Sequence, residues 1–455
     1  MRRFAVTLVL ASSLTGHVAG QQPAAAAPNV VLIITDDVGY GDLGSYGAPD
    51  IKTPNIDRLA ATGARFTDFY ANGSSCSPTR AGLISGRYQS RYAIDLPLAT
   101  AGPDLRRGLP AEGHSLPHLL RSNGYATALI GKWHLGYLPQ FSPGAHGFDT
   151  FFGFKSGFID YYHHTGGTGL PDLFENDLPV TVGAGDSYIT DEITRRSVDF
   201  ITTNARRPFF LEVAYNAAHW PFQLPDAPSK AAGNARFVMP FDADTATRAD
   251  YAKILERADQ GVGQIVAALA KAGVANNTLI IFTNDNGGEW LSRNAPLFNR
   301  KFSLWEGGIR VPAIVAWPGR IAGKRVTSQV GITMDLTATI LAATRSVVPA
   351  GVTLEGMNLL PIVEGKSPVV ERTLFWRVQT PAFNQRAVRS GNWKLIRDGG
   401  AGRSLLFDLS KDIGERNDLA AAHADVTRRL HLQLMAWETD VDSEAKARAA
   451  AASGR

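Results

Sequence analysis

Val30-Val31-Leu32-Ile33-Ile34-Thr35-Asp36-Asp37 is the stretch on which the fold turns. It is short and β-branched, has no polar alternation, and stops abruptly at two carboxylates. A strand buried on both faces has this texture, as in a parallel sheet covered by helices. Tyr125–Ile130, Pro208–Tyr215, Thr278–Thr283 and Val311–Trp317 repeat it. Helical patterns lie between them. One opens at Thr53-Pro54, a cap followed by proline at the first helical position. Others run roughly from Ser187 to Thr203 and from Thr247 to Lys271. The alternation predicts an α/β domain over residues 28–360, with a large, mostly parallel or mixed sheet flanked by helices.

From residue 361 the texture changes. Leu374–Arg377, Arg386–Arg389, Trp393–Arg397 and Leu405–Leu409 are short strand-like pieces joined by Gly- and Asn-containing turns, and a helix follows from about Ala424 to Thr439. Residues 361–455 are therefore expected to form a small antiparallel sheet with a closing helix and a frayed Ala-, Arg- and Gly-rich tail. At the other end, Arg2 and Arg3 precede an apolar run from Phe4 to Leu14 that is short for a membrane span, and small residues follow. Residues 1–27 read as a signal peptide and linker, cut either near Ala19-Gly20 or in the Ala24–Ala27 tract. The sequence suggests no stable membrane anchor.

Composition is that of a globular chain: 455 residues, 44% hydrophobic, 19% charged, net charge +4. The slight positive excess is scattered and no basic run occurs, so no nucleic-acid partner is expected. There is one cysteine, Cys76. An exported chain with one cysteine forms no internal disulfide, so the residue is either a buried inert thiol or a functional one.

In open α/β sheets, ligands bind beyond the carboxyl ends of the strands. The residues found there are Asp36 and Asp37, then Lys132 and His134, then His219, then Asp285 and Asn286. Each alone also fits a cap, a turn or a surface charge; four strand ends together imply one site. Asp36, Asp37, Asp285 and Asn286 offer only oxygen, which suits Ca²⁺ or Mg²⁺. In Cys76-Ser77-Pro78-Thr79-Arg80, Pro78 is placed to open a helix over Thr79–Gly86. Cys76 then sits at a positive helix end with Arg80 one turn along. A nucleophile so placed fits attack on a tetrahedral oxyanion.

Cys76-Ser-Pro-Thr-Arg80, continuing to Arg87, resembles the signature of the type I, formylglycine-dependent sulfatases, which have an alkaline-phosphatase-like fold. Asp36-Asp37 with Gly39–Asp42, Gly131–Gly136, His219-Trp220-Pro221, Asn284–Gly287, Lys301 and Glu306–Pro312 are similar to further family motifs, in the same order. So is Leu406–Leu409 through Asn417–Ala420, and the likeness spans about Pro28 to Ala420. The resemblance implies a sulfuric ester hydrolase, arylsulfatase-like, that releases sulfate from a small-molecule or glycan ester. It implies that a formylglycine-generating enzyme converts Cys76 to formylglycine. Asp36, Asp37, Asp285, Asn286 and the modified Cys76 would bind one Ca²⁺, with Mg²⁺ the alternative. Arg80 would hold the formylglycine hydroxyls, Lys132 and Lys301 would grip sulfate oxygens, His134 would act on the hydroxyl that does not attack, and His219 with Lys301 would assist the leaving oxygen. Phosphatases of related fold need extra His and Asp ligands for a second metal, and the sequence shows no such second set. A non-catalytic sulfated-glycan binder would be expected to lose a catalytic position, and none is lost. Tyr161, Tyr162, His163, His164, Trp220, Trp290 and Trp305 read equally as sugar- or aryl-stacking rings or as core and lid residues.

The signal-like start predicts a periplasmic or secreted protein. Cell fractionation should recover the mature chain outside the cytoplasm, lacking Met1–Gly20 or more by N-terminal sequencing. Full-length protein held in the cytosol would contradict the expectation.

Overall fold

The structure, a computed structural model, describes residues 27–99, 103–182, 187–227, 246–380, 384–399 and 402–453. The expected signal segment lies outside the described residues, apart from Ala27. In chain order the elements are β1 (Asn29–Thr35), α1 (Pro54–Thr62), β2 (Ala64–Phe66), β3 (Phe69–Tyr70), α2 (Cys76–Ser85), α3 (Leu116–Ser122), β4 (Ala126–Lys132), β5 (Thr150–Phe154), β6 (Leu173–Glu175), β7 (Leu178–Pro179), α4 (Ile189–Asn204), β8 (Phe209–Ala214), α5 (Arg248–Lys271), β9 (Thr278–Asn284), α6 (Glu306–Ile309), β10 (Ala313–Ala316), β11 (Arg325–Thr327), β12 (Gly331–Ile332), α7 (Thr333–Thr344), α8 (Leu360–Val363), β13 (Thr373–Gln379), β14 (Asn384–Ser390), β15 (Trp393–Asp398), β16 (Arg403–Asp408) and α9 (Ala424–Ser453).

The large sheet has the order β11-β2-β10-β9-β1-β8-β4-β5-β6-β7. Its centre, β9-β1-β8-β4-β5, is parallel, whereas β10 runs antiparallel to both β9 and β2, so the sheet is mixed. The apolar run of β1 follows from this central place. Val31 and Ile33 face a core shared with α1, α4 and α5, while Val30, Leu32 and Ile34 face a second core shared with α2, α3 and α7. Helices on both faces thus leave no solvent side, and polar alternation disappears. Register then sets the site: Thr35 pairs with Asn284, and Ile34 with Ala214, so β1, β8 and β9 end level with one another.

The C-terminal strands form the antiparallel meander β13-β14-β15-β16, with α9 against it through Leu430, Leu434, Trp437 and Val441. Two boundaries differ from the sequence reading. The helix expected to begin at Thr79 begins at Cys76, with Ser75 extended before it. The tail expected to fray after Thr439 is helical to Ser453. Packing against the large domain explains the second difference. Glu444 accepts from Arg87 and Arg91, Arg91 also reaches Asp440, and Arg448 pairs with Glu112 and Glu444 while covering the Tyr92 ring.

The meander is also held by a buried ionic cluster. Lys394 Nζ on β15 lies 2.7 Å from Glu306 and 2.9 Å from Glu415, and all three side chains are fully buried. Arg310 and the Tyr70 hydroxyl complete the coordination of Glu306. Burial opposes charge on Glu306, but Lys394 and Arg310 outweigh it and hold the carboxyl at about 2. Truncating one partner of such a cluster leaves buried charge uncompensated. Lys394→Met should therefore lower the unfolding free energy by about 3–5 kcal/mol in denaturant titration. A loss under about 1 kcal/mol, the scale of a surface pair, would show that the cluster does not staple the sheet.

Candidate active site

The predicted residues from four strand ends, helix α2 and the loop before α6 converge on one buried cluster. Beyond β1, Asp37 takes a left-handed backbone (φ 58°), as does His134 beyond β4 (φ 56°). Non-glycine residues adopt this conformation rarely, and at functional sites it commonly re-aims a side chain. The glycine at the end of β4 has its own reason: a Cβ on Gly131 would lie 1.9 Å from the Ala214 carbonyl oxygen of β8.

Three carboxylates, Asp36, Asp37 and Asp285, are matched by three cations. Lys132 Nζ lies 2.5 Å from Asp36, and Lys301 Nζ lies 2.8 Å from Asp37. Arg80 donates from Nε and Nη2 to Asp285 (3.2 and 3.0 Å) and from Nη1 to the Lys132 carbonyl (3.1 Å). One guanidinium thereby ties α2 to the ends of β4 and β9. Cys76 Sγ, in the first turn of α2, lies 3.7 Å from Asp36 Oδ1. Burial pushes its thiol up to about 12 even with Lys132 and Lys301 nearby.

The donor set fits a hard cation. Burial, followed by the charge of Asp285, pushes Asp36 up to about 8 despite Lys132. Asp37 is held at about 2, where the Lys301 ammonium, close enough to donate a hydrogen bond, overcomes the effect of burial. Asn286 donates through Nδ2 to Asp37 (2.7 Å), while its Oδ1 is buried with no hydrogen-bond partner. Crowded carboxylates and an unpartnered amide oxygen suit a divalent cation with oxygen ligands. One ligand atom from each of Asp36, Asp37, Cys76 and His219 falls within 4.8 Å of the others. His219 is already engaged, however. Its Nδ1 donates to the Trp220 carbonyl (2.6 Å), and its Nε2 receives the Lys301 ammonium (3.3 Å). That favours the oxygen set with position 76.

The two histidines are neutral, each held well below the usual imidazole value mainly by burial. His134 Nε2 donates to the Leu98 carbonyl (3.0 Å), so its lone pair is on Nδ1, which is buried without a partner. A free lone pair beside the cavity can accept a proton.

The cavity, about 300 Å³, is lined by Cys76, His134, His219 and Lys301 at its base, with Phe158, Trp220, Trp290 and Glu289 among the residues around it. The aromatic residues left open by the sequence divide here. Tyr161 and Tyr162 are core, and the Tyr161 hydroxyl holds the His219 loop through the His219 carbonyl (2.8 Å). Trp305 packs on Phe298 and Phe407 toward the meander. Trp220 and Trp290 line the cavity. Sequence reasoning missed Phe158, whose ring lies parallel to His219 at 6.0 Å, and Glu289, three residues past Asn286. It also missed Glu212, buried in β8 and pushed up to about 7 by burial. A lone charge inside an apolar strand run was the available signal for Glu212.

Residues 28–346 match the model of the sulfatase family, and residues 294–440 match that of the N-sulphoglucosamine sulphohydrolase C-terminal region. N-acetylgalactosamine-6-sulfatase of Canis lupus familiaris is 35% identical over 93% of this chain and 87% of its own. Human arylsulfatase A is 32% identical over 91% of this chain and 89% of its own. The crystal structure of Ps i-CgsB in complex with k-i-k-neocarrahexaose superposes with a TM-score of 0.81 at 31% identity, covering 90% of this chain and 93% of that one.

The carboxylate crowding predicts that Ca²⁺ or Mg²⁺ stabilises the folded protein. A hundredfold excess over Kd should add about 2.7 kcal/mol, read as a rise in melting temperature that a chelator reverses. Asp285→Ala should abolish the rise. Identical melting with cation and with chelator would refute a cation site.

Proposed function

This chain belongs to the sulfatase family and is a sulfatase, a hydrolase of sulfate esters, and on that premise we propose that it releases inorganic sulfate from a sulfated carbohydrate through a formylglycine made from Cys76. The observation that carries the reading is the position of Cys76. It opens a helix, fully buried, within one cluster that also holds Lys132, Lys301, Arg80 and the carboxylates of a cation site. A formylglycine-generating enzyme would convert the Cys76 side chain to the aldehyde with an external two-electron oxidant, the Cβ–S bond breaking and the sulfur leaving, and the sulfatase would work in the periplasm or outside the cell. Formylglycine supplies, as its hydrate, two hydroxyls on one carbon, one to attack sulfur and one to expel sulfate afterwards. A Ca²⁺, or Mg²⁺, held by Asp36, Asp37, Asp285, Asn286 and residue 76 would add positive charge where the sulfate sits.

The other steps belong to the chain's own side chains. An alkyl sulfate is an anion that repels nucleophiles, so positive groups in a water-poor pocket lower the barrier. Lys132, Lys301 and Arg80 provide them, each 4% exposed or less. The free Nδ1 of His134 is suited to take the proton of the second hydroxyl. At the leaving group, His219 Nε2 and the Lys301 ammonium form one hydrogen-bonded pair, which can pass a proton to the departing alkoxide. A carbohydrate is favoured over a simple aryl ester because Phe158, Trp220 and Trp290 accompany a hydrogen-bonding carboxylate, Glu289, around the cavity. A relative named for N-acetylgalactosamine-6-sulfate and a neighbour solved with a neocarrahexaose agree with that choice.

The peptide containing Cys76 from active enzyme should be lighter than encoded and should react with hydrazide probes. His134→Ala should slow turnover by about 10²–10⁴-fold, the usual contribution of a general base, and should accumulate a sulfated enzyme visible by intact-mass spectrometry. Cys76→Ser, with one hydroxyl, should form a sulfate adduct on that side chain and then stall. Sustained turnover by the Cys76→Ser variant, with no sulfated species at any time, would overturn the mechanism.

A further inference from the structure

Glu289 is the acidic side chain of the cavity to which the reaction assigns no role. Asp36, Asp37 and Asp285 belong to the cation cluster, whereas Glu289 stands on the wall with Trp290 and Trp220. Its side chain is 12% exposed, and Lys301 Nζ lies 3.6 Å from it. That contact is secondary, because the same ammonium lies 2.8 Å from Asp37 and 3.3 Å from His219. The carboxylate therefore keeps acceptor capacity that can face the cavity.

Its neighbours say what kind of group it would meet. Phe158 stacks parallel to His219 and packs on Trp220 with centroids 4.0 Å apart. Trp290 is 39% exposed, with the Arg300 guanidinium 5.3 Å from its ring centroid. Aromatic faces beside a carboxylate match a sugar ring, whose C–H faces are apolar and whose edge carries hydroxyls. The same carboxylate repels any second anion brought to that wall, and the shielding that water gives such a pair is reduced in a partly buried pocket.

We propose that Glu289 is a specificity-determining residue. It accepts hydrogen bonds from hydroxyl or amide N–H groups of the sugar bearing the ester, and it disfavours sugars with a second sulfate or a carboxylate beside that ester. The preferred substrate class is then a monosulfated neutral or N-acylated sugar unit. This inference rests on the sulfated-carbohydrate reading above.

The test compares kcat/KM of matured wild-type and Glu289→Gln enzyme on N-acetylgalactosamine 6-sulfate and on its 4,6-disulfate, with 4-nitrophenyl sulfate as a sugar-free reference. Glutamine keeps the shape and loses the charge. Wild type should prefer the monosulfated sugar, and the variant should lose about 10-fold or more of that preference, the scale of one like-charge contact in a pocket. If Glu289 serves only to hold Lys301, all three substrates fall together and the preference is unchanged, which overturns the proposal. So does wild-type enzyme that cleaves the disulfate as readily as the monosulfate. Wild-type enzyme that cleaves the aryl ester but neither sugar removes the carbohydrate reading instead, and this inference with it.

Discussion

Asp36, Asp37 and Asp285 are buried side by side where β1 and β9 end, and like charges so close are tolerated only when cations stand against them. Much of the site can be read as the answer to that crowding. Lys132 is delivered by the end of β4, Arg80 by the second turn of α2, and Lys301 by the loop before α6. Each comes from a different part of the chain, and each already has a carboxylate partner. The groups that would grip a sulfate are therefore held in place by the groups that would grip a cation, and neither set is pre-organised without the other.

The C-terminal meander enters the same arrangement from behind. The loop from Lys301 to Glu306 is fastened at nearly every step. Lys301 N donates to the Gly288 carbonyl, Phe302 N to that of Ser74, Leu304 N to the Gln385 side chain on β14, and Glu306 N to Glu415. Two of these four acceptors belong to the C-terminal part of the chain. The buried Glu306–Lys394–Glu415 cluster thus lies five residues along the chain from a lysine of the site. Sheet docking and lysine placement are coupled, which gives the small sheet a functional reason to be rigid.

Polar satisfaction separates what is structural from what is available for chemistry. Tyr161, Asp160 and Gln223 spend their hydrogen bonds on the loops around His219. By contrast, His134 Nδ1 and Asn286 Oδ1 are buried and unpartnered. Buried polar atoms without partners are few in folded proteins and call for an explanation. Here both lie where a proton acceptor and a cation ligand are needed.

The fold class and the residues that gather at the strand ends were legible in the sequence because both obey local rules. A strand covered on two faces must be apolar throughout, as Val30–Ile34 is, and ligands gather at the carboxyl ends of such strands, so the strand-end residues could be named from chain order. What the sequence could not settle depends on contacts between distant segments. The antiparallel direction of β10 depends on how it pairs with β2 and β9. The length of α9 depends on Arg87, Arg91 and Glu112, far away in the chain. Whether Tyr161 or Trp290 faces the cavity is a question of packing, because an aromatic residue in a loop reads the same either way. Periodicity and residue chemistry are properties of a segment, so the sequence alone determined the apolar strands, the helices between them and the polar residues that end those strands. Register, burial and the partner that consumes each hydrogen bond are properties of pairs of segments, so only the tertiary structure decided which nitrogen of His134 is free and which carboxylate of the cavity is left over.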